Sequence, residues 1–182
     1  MTFNMNGNDN DITYRYKVPE FNITIGGRGN GIFTIFNNIG DICKMLNHPE
    51  KVILKYIATI TGSCYTSEMS SIAGSYTSVE LKEIILYYIK HLIMCPRCGI
   101  PETIPKLFGE KKKISIKLCC SACKNETVLT TVNKQIDKAI DIIIKYIKSD
   151  ESWTISDSMV KQTVIISDNV DKEDSDEFNP FS

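Results

Sequence analysis

Residues 95–124 read CPRCGIPETIPKLFGEKKKISIKLCCSACK, and this stretch decides the fold. It holds two Cys-x-x-Cys pairs, Cys95 with Cys98 and Cys120 with Cys123. Tetrahedral zinc takes four such sulfurs, and each Cys-x-x-Cys turn presents two of them to one ion. The spacing therefore predicts a zinc ribbon whose folding depends on the metal. Four ligands leave no open coordination position, so we expect the zinc to be structural.

Other roles for the cysteines stay open at this point. The alternatives for the four residues are core cysteines or a redox pair. Cys119 leaves the register ambiguous, but Cys120 repeats the two-residue gap of the first pair and is preferred as the ligand. Cys43 and Cys64 are predicted to be small core residues.

The composition is that of a soluble globular protein. The chain has 182 residues, of which 42% are apolar and 24% charged, which excludes collagen, a disordered chain and a disulfide-rich miniprotein. No apolar run reaches about 18 residues and no signal peptide is present, so we expect a cytoplasmic protein without a membrane span. Residues 1–149 carry a formal charge of +6 and residues 150–182 carry −7, which favours a polyanionic or cationic partner.

The sequence predicts an α+β fold, with a small mixed α/β domain followed by a four-cysteine zinc ribbon. Its parts are a disordered, Asn- and Asp-rich lead-in at 1–12, the mixed domain at 13–93, the ribbon at 94–130, a helix at 131–149 and a flexible acidic tail at 150–182.

Within the mixed domain, apolar periodicity predicts a hairpin and three helices. The hairpin pairs residues 21–25 with 32–36 around a glycine-rich turn. Helices are predicted from Ile39 to about Asn47, from Pro49 to Thr61, and after a capping box at Thr77. Two short strands are expected within 62–76.

Arg15 is the first candidate for chemistry. The chain has only three arginines against eighteen lysines, and Arg15 stands between Tyr14 and Tyr16. The planar guanidinium of arginine matches phosphate oxygens. On a mobile tail Arg15 would reach a partner's nucleotide as an arginine finger. The alternative is a solvated arginine packed beside two tyrosines.

Two further segments are candidates for contact with RNA. Gly26–Gly31 reads GGRGNG and lacks the Gly-Lys-Ser/Thr of a nucleotide-binding loop, so it is either a tip that approaches an RNA backbone or a plain turn. Lys111–Lys113, with Lys106 and Lys117, is either a phosphate-binding patch or a solvated charge run. Neither His48 nor His91 belongs to a recognisable hydrolase constellation.

Several motifs in order resemble one known family. They are Tyr14-Arg15-Tyr16-Lys17-x-Pro19, Gly27-Arg28-Gly29-Asn30-Gly31-Ile32, Asp41-Ile42, Leu46-Asn47-x-Pro49, Lys55-Tyr56, and Pro101-Glu102-Thr103 between the cysteine pairs. Over about residues 12–148 the chain resembles the family of eukaryotic translation initiation factor 5 and the beta subunit of initiation factor 2. The first two motifs favour the N-terminal region of factor 5.

The resemblance implies a GTPase-activating protein that acts in trans and has no turnover chemistry of its own. It would stimulate GTP hydrolysis by the initiation factor 2 ternary complex on the small ribosomal subunit during start-codon selection. The implied partners are the gamma and beta subunits of initiation factor 2 with GTP, initiator tRNA and the small subunit, with this chain as a monomer. Arg15 would act as the arginine finger, Lys55 would support activation, and the loop of Gly27, Arg28, Gly29, Asn30 and Gly31 would approach the tRNA.

Two departures from the family pattern keep other functions open. Phe33 stands where the family normally has lysine, and the C-terminal helical-repeat domain of the family has no counterpart in these 182 residues. One alternative is a scaffold subunit that binds without activating, as the beta subunit of initiation factor 2 does. The other is a decoy that occupies the initiation complex without activating.

Overall fold

A computed structural model of the chain describes residues 1–109, 114–130, 133–149 and 153. The described residues up to 149 belong to one compact unit, Met1–Glu151, while Trp153 belongs to a second unit, Ser152–Ser182. Apart from Trp153, the predicted acidic tail lies outside the described residues, as does the lysine triplet at 111–113. The predicted division of residues 13–149 into three parts stays a prediction.

Among the described residues, four α-helices form where the apolar periodicity predicts them: α1 (Ile39–Leu46), α2 (Glu50–Thr61), α3 (Ser78–Leu92) and α4 (Lys134–Lys148). Asn47 and Gly62 end α1 and α2 in the left-handed conformation, which stops a helix. The capping box before α3 is present, because Thr77 and Glu80 satisfy each other's backbone N–H groups.

The predicted hairpin is also present, as part of a four-stranded antiparallel sheet. The sheet contains β3 (Ile23–Gly26), β4 (Phe33–Phe36), β5 (Tyr65–Thr66) and β6 (Ser71–Ala73) in the order β3-β4-β6-β5. Its hairpin holds the glycine-rich turn of residues 27–32 between β3 and β4.

The ribbon is a three-stranded antiparallel sheet of β7 (Thr103–Phe108), β8 (Ser115–Cys120) and β9 (Glu126–Val128). The sequence does not signal β7, because Pro105 interrupts its pattern. Proline is tolerated there because β7 is an edge strand, with a neighbour on one side only.

The core of the first unit is aliphatic and aromatic and comes mainly from the helices. The Tyr56 and Tyr88 rings lie 4.7 Å apart at its centre, and the Tyr88 hydroxyl is 2.9 Å from Nδ1 of His48. Burial lowers the pKa of His48 to about 3, so this histidine is neutral at physiological pH. His48 is therefore a core residue and not a catalytic one.

The prediction of a disordered lead-in at residues 1–12 is wrong. Residues Thr2–Asn4 form β1, which pairs antiparallel with β2 (Lys17–Pro19). Phe3 lies opposite Val18, and both side chains are fully buried. The composition misled because two buried apolar side chains, Phe3 and Met5, are enough to order a polar segment.

Polar side chains order the loop that follows β1. The Asn4 side-chain amide donates to the carbonyls of Asn8 and Asp11, at 2.6 and 2.7 Å. Lys82 of α3 lies 2.6 Å from the Asp9 carboxylate and 5.1 Å from the centre of the Phe3 ring. Asn and Asp here make the backbone contacts for which these residue types are favoured in loops.

We expect Phe3→Ala to lower the free energy of unfolding by about 3 to 5 kcal/mol, the usual cost of removing a buried phenyl ring. Ile12→Ala is the matched control, because Ile12 lies in the same segment and is 84% exposed. Its effect should stay within about 0.5 kcal/mol. Urea unfolding followed by circular dichroism measures both, and equal midpoints for the two variants would contradict an ordered β1.

Candidate functional site

Four cysteines form a compact cluster at one end of the ribbon. The Sγ atoms of Cys95, Cys98, Cys120 and Cys123 all lie within 4.8 Å of one another. The Cys95–Cys123 and Cys98–Cys120 sulfur pairs are each 3.7 Å apart. A tetrahedron with metal–sulfur bonds of about 2.3 Å has sulfur–sulfur edges of about 3.8 Å. The cluster can therefore hold one metal ion with four sulfur ligands.

The two cysteine turns have the same backbone geometry. In the first turn, Cys95 donates its N–H to the carbonyl of Ile100, and the carbonyl of Cys95 accepts from the N–H of Gly99. In the second turn, Cys120 donates its N–H to the carbonyl of Asn125, and the carbonyl of Cys120 accepts from the N–H of Lys124. The residues that donate, Gly99 and Lys124, have φ of 67° and 58°. This left-handed turn curls the backbone around the sulfurs, with a glycine at the left-handed position of the first turn and a lysine at that of the second.

The structure places Cys120 in the cluster and Cys119 outside it. Successive side chains of a strand point to opposite faces, so the neighbours Cys119 and Cys120 of β8 diverge. The Cys119 thiol donates to the Glu126 carboxylate at 3.6 Å, and burial raises the pKa of this thiol.

The pKa of the clustered Cys95 thiol is lowered to about 7. Burial opposes its ionisation, but hydrogen bonds from the backbone N–H groups of Cys98 and Arg97 outweigh the effect of burial.

The two cysteines outside the ribbon differ in their burial. Cys43 is a buried residue of α1, and this burial raises the pKa of its thiol. Cys64 is exposed, directly before β5, so the prediction that it is a core residue is wrong. Small size and apolar character do not bury a side chain on a connecting segment that runs over the surface.

Arg15 lies on an ordered loop and not on the mobile tail that the sequence predicts. Arg15 is exposed, two residues before β2, and its Cζ lies 5.7 Å from the centre of the Tyr16 ring. The Tyr14 and Tyr16 rings meet edge to face at 6.0 Å. The two tyrosines thus support the loop while the arginine between them stays accessible.

A hydrogen bond ties this loop to the ribbon. The Tyr16 hydroxyl donates to the Glu102 carboxylate at 2.5 Å, and this bond raises the pKa of Tyr16. The Glu102 carbonyl in turn accepts from the N–H of Ser121, inside the second cysteine knuckle, at 2.8 Å. Sequence reasoning missed this link, although Glu102 lies in the Pro101-Glu102-Thr103 motif.

The structure does not join Lys55 to Arg15. Lys55 is half-buried on α2 and lines a small cavity against α4. Among the described residues, no hydrogen bond or ion pair links Lys55 to the Arg15 loop.

The glycine loop is exposed and its shape is fixed by two left-handed glycines. Gly27 and Gly29 have φ of 80° and 56°, and Gly29–Gly31 forms a turn of 3₁₀ helix. A Cβ on Gly27 would lie 2.0 Å from the Gly31 carbonyl oxygen. Phe33 packs its ring beneath the loop, so close that a Cβ on Gly26 would lie 2.7 Å from it. The loop therefore holds Arg28 and Asn30 on a constrained backbone.

A family model described as a domain found in initiation factors 2B and 5 matches residues 6–126. The chain belongs to this family. Eukaryotic translation initiation factor 5 of Mus musculus is 33% identical over 138 residues, which cover 74% of this chain and 32% of the relative. The Drosophila melanogaster factor 5 is 30% identical over 126 residues, covering 67% of this chain and 27% of the relative. The Phaseolus vulgaris factor 5 is 35% identical over 121 residues, which cover 64% of this chain and 27% of the relative.

The matched region places the candidate elements inside the domain shared by initiation factors 2B and 5. The match includes the Arg15 loop, the glycine loop and all four clustered cysteines. The chain spans about a third of the length of the relatives it matches. In the part of the chain that the structure describes, no helix has the length and apolar character needed to cross a membrane.

We expect Cys120→Ser to remove most of the bound metal and Cys119→Ser to retain it, because only Cys120 belongs to the four-sulfur cluster. The two residues are neighbours of the same type, so the pair controls for the loss of a thiol. Elemental analysis of purified protein gives the metal content per chain. Equal metal content in the two variants would contradict the assignment of Cys120.

We expect Gly27→Ala to destabilise the domain by at least about 1 to 2 kcal/mol, since alanine is strained at this φ and its Cβ meets a carbonyl. Gly31→Ala is the control, because it lies in the same loop and its Cβ would meet nothing within 4 Å. Urea unfolding compares them. A Gly31→Ala variant as unstable as Gly27→Ala would show that the loop geometry is not as described.

Proposed function

We propose that this chain acts in translation initiation as a GTPase-activating protein in trans. Its target is the initiation factor 2 ternary complex, with the gamma and beta subunits and GTP, on the small ribosomal subunit in the cytoplasm. The chain would act as a monomer during start-codon selection and would have no turnover chemistry of its own. Membership of the family of initiation factors 2B and 5, together with the factor 5 relatives, supports this proposal.

The exposed guanidinium of Arg15 on an ordered loop carries the proposal. An arginine finger stabilises the charge that develops on the transferred γ-phosphoryl group, and it is worth about 10³- to 10⁵-fold in rate. A finger held in place loses less conformational entropy on docking than one on a mobile tail. Pairing of β1 with β2 and the Tyr16–Glu102 bond supply that order.

The remaining candidate residues take supporting roles in this proposal. The loop of Gly27, Arg28, Gly29, Asn30 and Gly31 approaches initiator tRNA, since its backbone is exposed and Arg28 is available to phosphate. Lys55 supports activation from a separate place on α2.

Zinc is the metal that we propose for the four-cysteine cluster. Four thiolate ligands in tetrahedral arrangement favour zinc among the common divalent ions, and they leave no position for a substrate. Cys95, Cys98, Cys120 and Cys123 would thus hold a structural ion that orders the ribbon. The elemental analysis described for the cysteine variants identifies the metal as well as its amount.

We expect Arg15→Ala to abolish stimulated GTP hydrolysis while the fold and metal content stay unchanged. The measurement is single-turnover hydrolysis in a reconstituted small-subunit complex, with and without the full chain. Arg97→Ala is the matched control, since it removes another exposed arginine and should retain full stimulation.

The hydrolysis assay, together with co-purification and a translation extract, separates the proposal from its alternatives. A scaffold subunit would co-purify with the gamma subunit and be indifferent to Arg15→Ala. A decoy would inhibit initiation in a translation extract and stimulate hydrolysis at no concentration. Either result would overturn the proposal.

A further inference from the structure

Glu102 is held in place by the framework of the ribbon. Its backbone carbonyl accepts from the N–H of Ser121, in the second cysteine turn, at 2.8 Å. The next residue, Thr103, begins β7 and pairs with Cys120 of β8. The buried Thr103 hydroxyl donates to the carbonyl of Ile93, directly after α3, at 2.8 Å. The backbone that carries the Glu102 side chain is therefore fixed both to the cysteine turn and to the end of α3.

The described partner of the Glu102 side chain is the hydroxyl of Tyr16. Glu102 is half-buried, and the hydroxyl donates to its Oε1 at 2.5 Å. Among the described residues, Glu102 forms no ion pair. A hydrogen bond that a hydroxyl donates to an ionised carboxylate is short and about twice as strong as one between neutral groups. The ribbon therefore holds the hydroxyl end of a tyrosine that lies 86 residues away in the chain.

Tyr16 is held at both of its ends. Its backbone carbonyl accepts from the N–H of Met5 at 3.1 Å, which restrains the backbone but leaves two side-chain torsions to be set. The bond from the Tyr16 hydroxyl to Glu102 restrains those torsions. The Tyr14 ring, edge to face at 6.0 Å, packs beside the Tyr16 ring. The orientation of the Tyr16 ring therefore depends on Glu102 as well as on local packing.

The guanidinium of Arg15 lies against this ring. Its Cζ is 5.7 Å from the ring centre, within the distance of about 6 Å at which a cation is attracted to an aromatic ring. Among the described residues, Arg15 makes no hydrogen bond and no ion pair. The contact with the Tyr16 ring is therefore what restrains the direction of the arginine side chain.

We propose that Glu102 is a positioning residue for Arg15 and acts through Tyr16. Its part in GTP hydrolysis rests on the function proposed above, whereas its ordering of the Arg15 side chain does not. Glu102 touches no nucleotide in this role. It narrows the directions in which the guanidinium points, so that the arginine meets the phosphoryl group in one geometry.

The first test measures the order of the Arg15 side chain in the full chain. Arginine Nε–Hε groups give their own NMR signals, and the chain has only three arginines, Arg15, Arg28 and Arg97. The heteronuclear NOE of these signals reports motion on the picosecond-to-nanosecond timescale. Arg28, on the glycine loop, serves as the internal reference.

Tyr16→Phe and Glu102→Ala should each lower the NOE of Arg15 and leave that of Arg28 unchanged. The double variant should lower it no further, because both changes remove the same hydrogen bond. Glu102→Gln should fall between the wild type and Glu102→Ala, since its amide oxygen still accepts from the hydroxyl but without the charge.

Tyr14→Phe and Glu68→Ala are the matched controls. Tyr14→Phe removes the hydroxyl of the neighbouring tyrosine, which makes no hydrogen bond to any described residue. Glu68→Ala removes an exposed carboxylate from the turn between β5 and β6. Both should keep the wild-type NOE of Arg15, and urea unfolding verifies that all variants are folded.

The second test is single-turnover GTP hydrolysis in the reconstituted small-subunit complex. Tyr16→Phe and Glu102→Ala should lower the maximal stimulated rate about tenfold, because a misdirected arginine loses rate even when the chain is bound. The chain concentration that gives half-maximal stimulation should change by less than about twofold, since docking itself is not weakened. A merely structural contact between loop and ribbon would leave the maximal rate unchanged.

Lower order at Arg15 together with a lower maximal rate supports the proposal. Unchanged order at Arg15 in Tyr16→Phe and Glu102→Ala would overturn it, as would a full maximal rate in both variants despite lost order. If the wild-type chain stimulates no hydrolysis, the proposed function fails, and the NMR comparison alone then decides whether Glu102 orders Arg15.

Discussion

The burial of Phe3 against Val18 is the constraint on which the candidate active loop depends. These two side chains join β1 to β2, and everything between them becomes a closed loop instead of a free terminus. Arg15 lies two residues before β2, so little backbone freedom separates it from the core. This arrangement favours an arginine that must meet a phosphoryl group in a defined geometry. Because the loop is already ordered, docking does not pay the conformational entropy of ordering it.

A second restraint connects this loop to the cysteine cluster. Tyr16 donates to Glu102, and the backbone of Glu102 accepts from Ser121 between two of the clustered cysteines. The ribbon is a small three-stranded sheet, so a metal held by the four cysteines would contribute strongly to its order. If the cluster holds the proposed structural ion, that ion would help to position the Arg15 loop through Ser121 and Glu102.

The helices and the cysteine cluster could be predicted from local sequence, whereas two of the strands could not. Helix periodicity, the Thr77 capping box and the Cys-x-x-Cys spacing are signals within a few residues, and each is borne out. The strand β1 has no such local signal, because its surroundings have the Asn- and Asp-rich composition of a disordered segment. Its order comes from the pairing of Phe3 with Val18, fifteen residues later in the chain. Likewise, Pro105 conceals an edge strand that only its pairing with β8 reveals. Contacts distant in sequence leave no local pattern to read.

The separation of Arg15 from Lys55 bears on how the chain would act. The sequence motifs suggest that the two residues serve one reaction, whereas the structure places one on the β1–β2 loop and the other in a lysine-lined cavity of α2 and α4. In the function proposed above, Arg15 would neutralise charge at the reacting phosphate, and within the described residues no hydrogen bond or ion pair links Lys55 to that loop. Lys55 would then support activation from α2 and not as part of the Arg15 loop.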